Sequence, residues 1–291
     1  MDQVVLSFLS GLATAGIYAI LSVGLVLLFR ATGTLNFAHG EFLVLGAMIV
    51  GSMQASHHLP VLAGIVLSGV IVAAVAVIFY QIVLRRLIGS AVFMPVVATL
   101  GLAAVLDGVA SMLWTSNQYS VVLPGIPTSS VDILGARVGV EVLAVTGISF
   151  AITGAVVAVF RFTTLGTRVR AAGQDPMLAS QGGINVRWIY LGSWAAAGFL
   201  AAIAGVLLAT SEAVNTSSVD IGLAAFPAVL LGGLDSVEGA LVGSLAIGML
   251  QGFTTTYLGT NYLDLVSYLV LLVVVLFMPA GLFGTREVRR L

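Results

Sequence analysis

The chain has 291 residues, 59% of hydrophobic type and only 8% charged, with a mean hydropathy of +1.15. A soluble domain carries about 25% charged residues, so lipid is the solvent for most of this sequence. The net charge is −1, all 11 basic residues are arginine, and there is no cysteine, which excludes disulfides, thiolate metal sites and cysteine catalysis.

Stretches of mostly apolar residues occupy 6–29, 41–55, 60–84, 91–114, 138–160, 188–209, 220–234, 239–254 and 262–278. A helical span of a bilayer needs about 20 such residues, so the second, seventh and eighth are short or broken. The expected fold is an all-α integral membrane protein of eight or nine transmembrane helices, forming one transmembrane domain over 1–291. Asp2 stands where a signal peptide carries basic residues, and 6–29 is long enough to span, so no cleavable signal is expected.

With nine spans, Arg30, Arg85, Arg86, Arg161, Arg168, Arg170, Arg187, Arg286, Arg289 and Arg290 all fall on one side, and Arg137 alone on the other. Arginine-rich loops face the cytoplasm. This puts the N-terminus outside, with the loop 161–187 and the tail 280–291 in the cytoplasm. A re-entrant 220–234 would reverse the tail. The loop 115–137, carrying Pro124 and Pro127, lies outside.

The run Asn36-Phe37-Ala38-His39-Gly40-Glu41-Phe42 opens the short second segment. Ionisable groups at membrane depth cost at least about 2.5 kcal/mol unless they face a cavity or a partner. Two readings stay open. The run is a broken helix lining a passage, with Gly33 and Gly40 allowing an unwound backbone. Or it is a helix start at the interface, capped by Asn36 with Glu41 on its first-turn dipole. His39 and Glu41 have no third ligand nearby for a metal. The run Gly232-Gly233-Leu234-Asp235-Ser236-Val237-Glu238-Gly239 is a second interruption, read as a bent pathway backbone or an ordinary tight turn. Asp107 and Glu141 are single carboxylates within or beside apolar runs, read as substrate or proton groups or as inter-helix hydrogen-bond partners.

In the loop 161–187, Asp175 is a good N-cap, Pro176 a good first helical residue, and Gly182 or Gly183 a stop. A short helix is expected over Pro176–Gln181. It suits docking into a partner's groove or lying on the membrane surface. A phosphate-binding loop needs a lysine, which this chain lacks; HExxH and GxSxG are also missing, so no covalent chemistry and no cofactor are expected.

These residues resemble a known family. Gly16-Ile17-Tyr18-Ala19-Ile20-Leu21, the run Gly33 to Phe42, Arg170-Ala171-Ala172 with Gly183-Ile184-Asn185, Ala225-Phe226 through Gly232-Gly233, and Met278-Pro279-Ala280-Gly281-Leu282-Phe283-Gly284 look like the LivH-type permease of branched-chain amino acid ATP-binding-cassette importers. The match covers essentially the whole chain, and the NFAHGE run with the GIN loop is specific to the group. The resemblance implies a type II importer permease fold in a bacterial cytoplasmic (inner) membrane. Its implied partners are a second permease chain in a heterodimer, two cytoplasmic ATPase subunits, an external solute-binding protein and a small-molecule solute in the lipid bilayer, with no nucleic acid. It implies translocation of branched-chain or other hydrophobic amino acids by alternating access. Asn36, Phe37, His39, Glu41, Phe226, Gly232 and Gly233 would line the passage. Arg168, Arg170, Ala171, Ala172, Asp175, Pro176, Met177, Leu178, Ala179 and Gly183 would form the ATPase coupling surface. Gln181 and Gly182 replace bulkier family residues, which shortens the expected docking helix, and Asp107 stands where relatives carry an uncharged polar residue. Urea and short-amide permeases share much of this pattern. A stand-alone channel or secondary transporter is the other transport class, and an intramembrane enzyme using His39 and Glu41 the rival outside transport.

Overall fold

A computed structural model describes residues 2–57, 60–87, 90–91, 93–115, 117–278 and 280–284. Arg286, Arg289 and Arg290, and with them most of the tail 280–291, lie outside the described residues. The helices are α1 (Asp2–Thr32), α2 (His39–His57), α3 (Val61–Leu87), α4 (Phe93–Trp114), α5 (Val140–Phe162), α6 (Thr164–Gln174), α7 (Pro176–Gln181), α8 (Val186–Ser211), α9 (Val219–Leu223), α10 (Ala225–Gly232), α11 (Val237–Tyr257) and α12 (Leu263–Phe277). Among the described residues, seven helices are long and apolar enough to cross a membrane, and a shorter apolar stretch covers Thr216–Gly232. The chain is a multi-pass, all-α membrane protein. At 1.5 Å per residue, the 19 residues of α2 reach about 28 Å, nearly the roughly 30 Å of a hydrocarbon core.

Contacts at the helix ends define two poles. At one, the Arg30 guanidinium lies 5.6 Å from the Phe160 ring centroid, Arg161 pairs with Glu238 at 4.0 Å, and the N–H groups of Leu282 and Phe283 donate to the carbonyls of Leu231 and Gly232 at 2.8 and 2.9 Å. At the other, Asp2 lies against Gly135, and Tyr119 bridges Val214. Tracing between the poles gives nine passes among the described residues, one of them made by the interrupted pair α9–α10. That pair starts beside Val214 and ends at Gly232, so it traverses rather than turning back. Of the described arginines, Arg30, Arg85, Arg86, Arg161, Arg168, Arg170 and Arg187 then fall at one pole and Arg137 at the other.

The centre of the bundle is α1, whose most apolar stretch is 83% buried, against 17% for α4 and 11% for α12 at the periphery. Without a hydrophobic drive in lipid, close backbone approach and polar contacts hold helices together. A Cβ at Gly248 or Gly252 would overlap the backbone of α1 at Ala15 and Gly11, and one at Gly205 would strike the Leu43 carbonyl of α2. Across α1, α11 and α12 the Tyr18 hydroxyl donates to Gln251 Oε1 at 2.7 Å, and Gln251 Nε2 donates to Ser267 Oγ at 2.7 Å.

Two features depart from the sequence expectation. The loop 115–137 ends in a hairpin, β1 (Ser130–Ile133) antiparallel to β2 (Ala136–Gly139), with Ser130 opposite Gly139. Leu134 and Gly135 both take positive φ, 53° and 90°, as a two-residue hairpin turn of this hand requires. The pass expected from 138 therefore begins at Val140, because Val138 belongs to β2. The second departure is in α3, where Tyr80–Leu84 form a π-helical turn.

Candidate functional site

After α1 ends at Thr32, Gly33 turns the chain with φ +66°, and its N–H donates to Phe29 at 2.7 Å. Residues 33–38 then run back along α1, so that α2 starts inside the bundle. The His39 ring donates from Nε2 to the Leu21 carbonyl at 3.2 Å, and a Cβ on Gly24 would sit 3.4 Å from that ring. A carbonyl only accepts, so the hydrogen sits on Nε2. Asn36 Oδ1 accepts from the Ala38 N–H at 3.1 Å, which satisfies a donor at the helix start. Asn36 and His39 are fully buried and Glu41 is 5% exposed. Among the described residues, Asn36 Nδ2, His39 Nδ1 and Glu41 Oε2 have no hydrogen-bond partner. Asp107, exposed on α4, is close enough to act on Glu41 electrostatically.

The interrupted pair α9–α10 comes to meet this first break. A Cβ on Gly222 of α9 would overlap Gly40 Cα, and one on Gly40 would lie 2.9 Å from the Val219 carbonyl. One turn further on, Phe226 of α10 stacks on Phe37 with centroids 5.0 Å apart and planes 12° from parallel. Offset aromatic pairs of this kind contribute about 0.5–1.5 kcal/mol beyond burial. Asn36, Phe37, His39, Glu41 and Phe226 therefore share one junction. Gly232 and Gly233 do not reach it. They lie at the arginine-rich pole, where Gly232 meets Gly239 backbone to backbone and Gly233, at φ +112°, lies against Gly284.

Sequence reasoning missed Thr99. It is fully buried on α4; its hydroxyl accepts from the Phe37 N–H at 3.3 Å and donates to the Val96 carbonyl at 2.8 Å. A hydroxyl in an apolar helix carries no mark of a partner 62 residues away. The clue was its depth in an otherwise apolar run.

At the arginine-rich pole, α6 and α7 stand outside the bundle of long helices. Asp175 Oδ1 accepts from the N–H groups of Met177 and Leu178, both at 2.9 Å, and Pro176 is the first helical residue. The helix spans Pro176–Gln181 as the sequence indicates. Gly183, at φ +81°, ends the turn, and the Ile184 N–H donates to Ala179 at 3.0 Å. Ala179 is buried, while Met177 is 72% and Leu178 64% exposed. Arg170 is turned inward: its Nη1 donates to the Phe160 carbonyl at 3.0 Å and its guanidinium lies over the Phe160 ring. Arg168 is exposed, and Ala172 is buried with Ala171 beside it.

A model of the family "Branched-chain amino acid transport system / permease component" matches residues 7–276. The chain belongs to this family. The permease is 27% identical over 296 residues to the high-affinity branched-chain amino acid transport system permease protein LivH of Escherichia coli, covering 97% of this chain and 96% of LivH. It is 26% identical over 296 residues to BraD, a permease protein of the same description from Pseudomonas aeruginosa, with the same coverage of each chain. A shorter likeness, 35% over 133 residues, links 40% of this permease to 39% of the ribose import permease protein RbsC of Haemophilus influenzae. No solved structure matches it.

Proposed function

We propose that this permease is the membrane subunit of an ATP-driven importer for branched-chain or other hydrophobic amino acids, set in a bacterial cytoplasmic membrane with its arginine-rich pole inside. The whole chain acts as one domain. A second permease chain completes the passage, an external binding protein delivers the solute, and two cytoplasmic ATPase subunits supply the energy. The solute passes the junction of Asn36, Phe37, His39, Glu41 and Phe226, while Gly232 and Gly233 let the backbone of the second interruption bend. ATP-driven closure of the ATPases pulls on α7 and reorients the passes, giving alternating access.

The observation that carries this reading is α7. It is six residues long, capped at both ends, outside the bundle, and presents Met177 and Leu178 to solvent. Such a short helix gains little by itself and suits an apolar groove on another protein. In this reading Arg168, Arg170, Ala171, Ala172 and Gly183 border the docking surface, and Asp175 and Pro176 fix the start of α7.

Leu178→Asp tests it in the intact assembly. Membrane insertion is expected to be unchanged and ATP-dependent uptake abolished. Normal uptake rules out the docking face. The solute class is tested separately by competing uptake with hydrophobic amino acids, urea and ribose, the last because part of the chain resembles a permease named for ribose.

A further inference from the structure

Two guanidinium groups share one ring at the arginine-rich pole. Phe160, in the last turn of α5 and 4% exposed, has Arg30 at 5.6 Å and Arg170 at 5.3 Å from its ring centroid. Like charges repel, so gathering both needs a feature that attracts each. The face of an aromatic ring does so through its quadrupole, most strongly where water is excluded. The Phe160 carbonyl adds a second hold. It is among the last four of α5, which have no partner within the helix, and Arg170 Nη1 donates to it at 3.0 Å. Arg170 Nη2 donates to Thr167 Oγ1 at 3.1 Å, which fixes the guanidinium on its own helix.

The helix that carries Arg170 lies across the ends of two others. Gly166, Val169, Arg170 and Gly173 recur at three- and four-residue spacing, so they share one face of α6. At its start a Cβ on Gly166 would overlap the Phe160 carbonyl, and two turns later one on Gly173 would overlap the Arg30 carbonyl. Val169 between them is buried. Thus α6 is seated on the end of α5 and on the end of α1, backbone to backbone.

The same helix is tied to α7 without slack. Asp175 is the C-cap of α6 and the N-cap of α7; its N–H donates to Ala171 at 3.1 Å and its carbonyl accepts from Ala179 at 2.9 Å. On the other side, Arg30 lies three residues before Gly33, where the chain turns toward Asn36. A continuous run of contacts therefore joins α7 to the first break. Coupling between distant sites travels through packed chains and rigid elements of this kind.

We infer that Phe160 is a positioning residue for energy coupling: it holds Arg170 of α6 and Arg30 of α1 in one place, so that a displacement of α7 reaches the end of α1 and moves the first break. This rests on the importer reading. It adds the route and puts a buried aromatic residue at its centre.

The test uses the intact assembly of this permease, its second permease and the ATPases in proteoliposomes, the other subunits made free of cysteine. This chain has no cysteine, so Thr34→Cys, half-buried at the start of the break, takes a single environment-sensitive fluorophore. ATP with vanadate is expected to shift its emission. In Phe160→Leu, which stays apolar but has no ring, the ATPases are expected to co-purify as before and the shift to shrink at least about fivefold. Phe160→Tyr keeps the ring and is expected to retain most of the shift. Phe160 borders an apolar cavity of about 710 Å³, which gives either side chain room. Should Phe160→Leu not assemble, Arg30→Gln removes the same contact from the α1 side and is expected to lose the shift likewise. A full shift in Phe160→Leu or Arg30→Gln, equal losses in Phe160→Leu and Phe160→Tyr, or loss of the ATPases from a well-folded Phe160→Leu chain overturns the inference. So does the absence of any shift with Phe160 intact and the ATPases bound. Failure of the ATPases to co-purify with the Phe160 chain is a different result: it sinks the importer reading, and this inference with it.

Discussion

The permease interrupts its helices at two places and treats the exposed backbone differently at each. Before α2, side chains answer the free donors: Asn36 takes the Ala38 N–H and Thr99 takes the Phe37 N–H, inside a region where Asn36 and His39 are fully buried. Before α9, Asn215 and Ser218 cap one another's backbone in a short turn. The chain then continues through Ala224 at φ −64° and ψ −12°, close to helical, with mainly apolar side chains. The first break therefore holds the ionisable groups at depth, and the second supplies a close-fitting apolar cover ending in Phe226. Chemistry sits on one break and shape on the other, and they meet glycine to glycine.

The hardest blow to this arrangement falls at the meeting point. Gly222→Leu would drive a side chain into Gly40 Cα, which is backbone and cannot rotate away. Overpacking costs about 1–3 kcal/mol or more where backbone must move. The expected result is a lower yield of monodisperse protein by size-exclusion chromatography and loss of uptake by the assembly. Wild-type yield and uptake would mean that the two breaks do not depend on each other.

A smaller effect isolates the polar break. Thr99→Val keeps the side-chain shape but leaves the Phe37 N–H without its acceptor. An unpaired buried donor costs about 1–3 kcal/mol, so uptake is expected to fall by roughly tenfold and the melting temperature to drop. Thr99→Ser keeps the oxygen and is expected to restore most of both. If Ser and Val behave alike, the hydroxyl bond does not hold the loop.

Much of this was legible from local sequence because its causes are local. The polar run at 36–42 inside an apolar chain marked the first break. Asp175, Pro176 and Gly182 marked α7 to the residue, since caps and stops act within one turn. The short 220–234 stretch marked an incomplete span and left open whether it crosses or re-enters. What stayed hidden depends on distant partners or on turns without the usual residues. The stack of Phe37 on Phe226 joins opposite ends of the chain, and Thr99 looks like any membrane-helix threonine. The hairpin turn uses Leu134 where Asn or Asp usually precedes Gly, so its strands read as loop. The π-helical turn at Tyr80–Leu84 has no Gly or Pro to announce it.

A subtler test asks whether the two breaks are coupled through their rings. Phe37→Ala and Phe226→Ala, singly and together, form a double-mutant cycle read by thermal unfolding. The expected coupling is about 0.5–1.5 kcal/mol, the usual worth of an aromatic pair. Additive losses would show that the rings share a space without stabilising one another.

The gentlest prediction concerns Glu212, which caps the end of α8 at the head of the second break. The residue as a whole is exposed, but burial of its carboxyl against the chain raises its pKa above the usual carboxylate value. The native state therefore binds this proton more tightly than the unfolded chain does. Stability should rise as pH falls through the raised native pKa, reach its full gain below the unfolded value, and be absent at higher pH where both states are ionised. Glu212→Gln is expected to flatten that part of the pH–melting profile, with a small gain at neutral pH. The polar break offers a contrast, because the Thr99 variants carry no titrating group and should shift the profile without changing its shape. A wild-type profile already flat in this window, or one unchanged in Glu212→Gln, would mean that the carboxyl is freely hydrated and that the second break is open to water at its head.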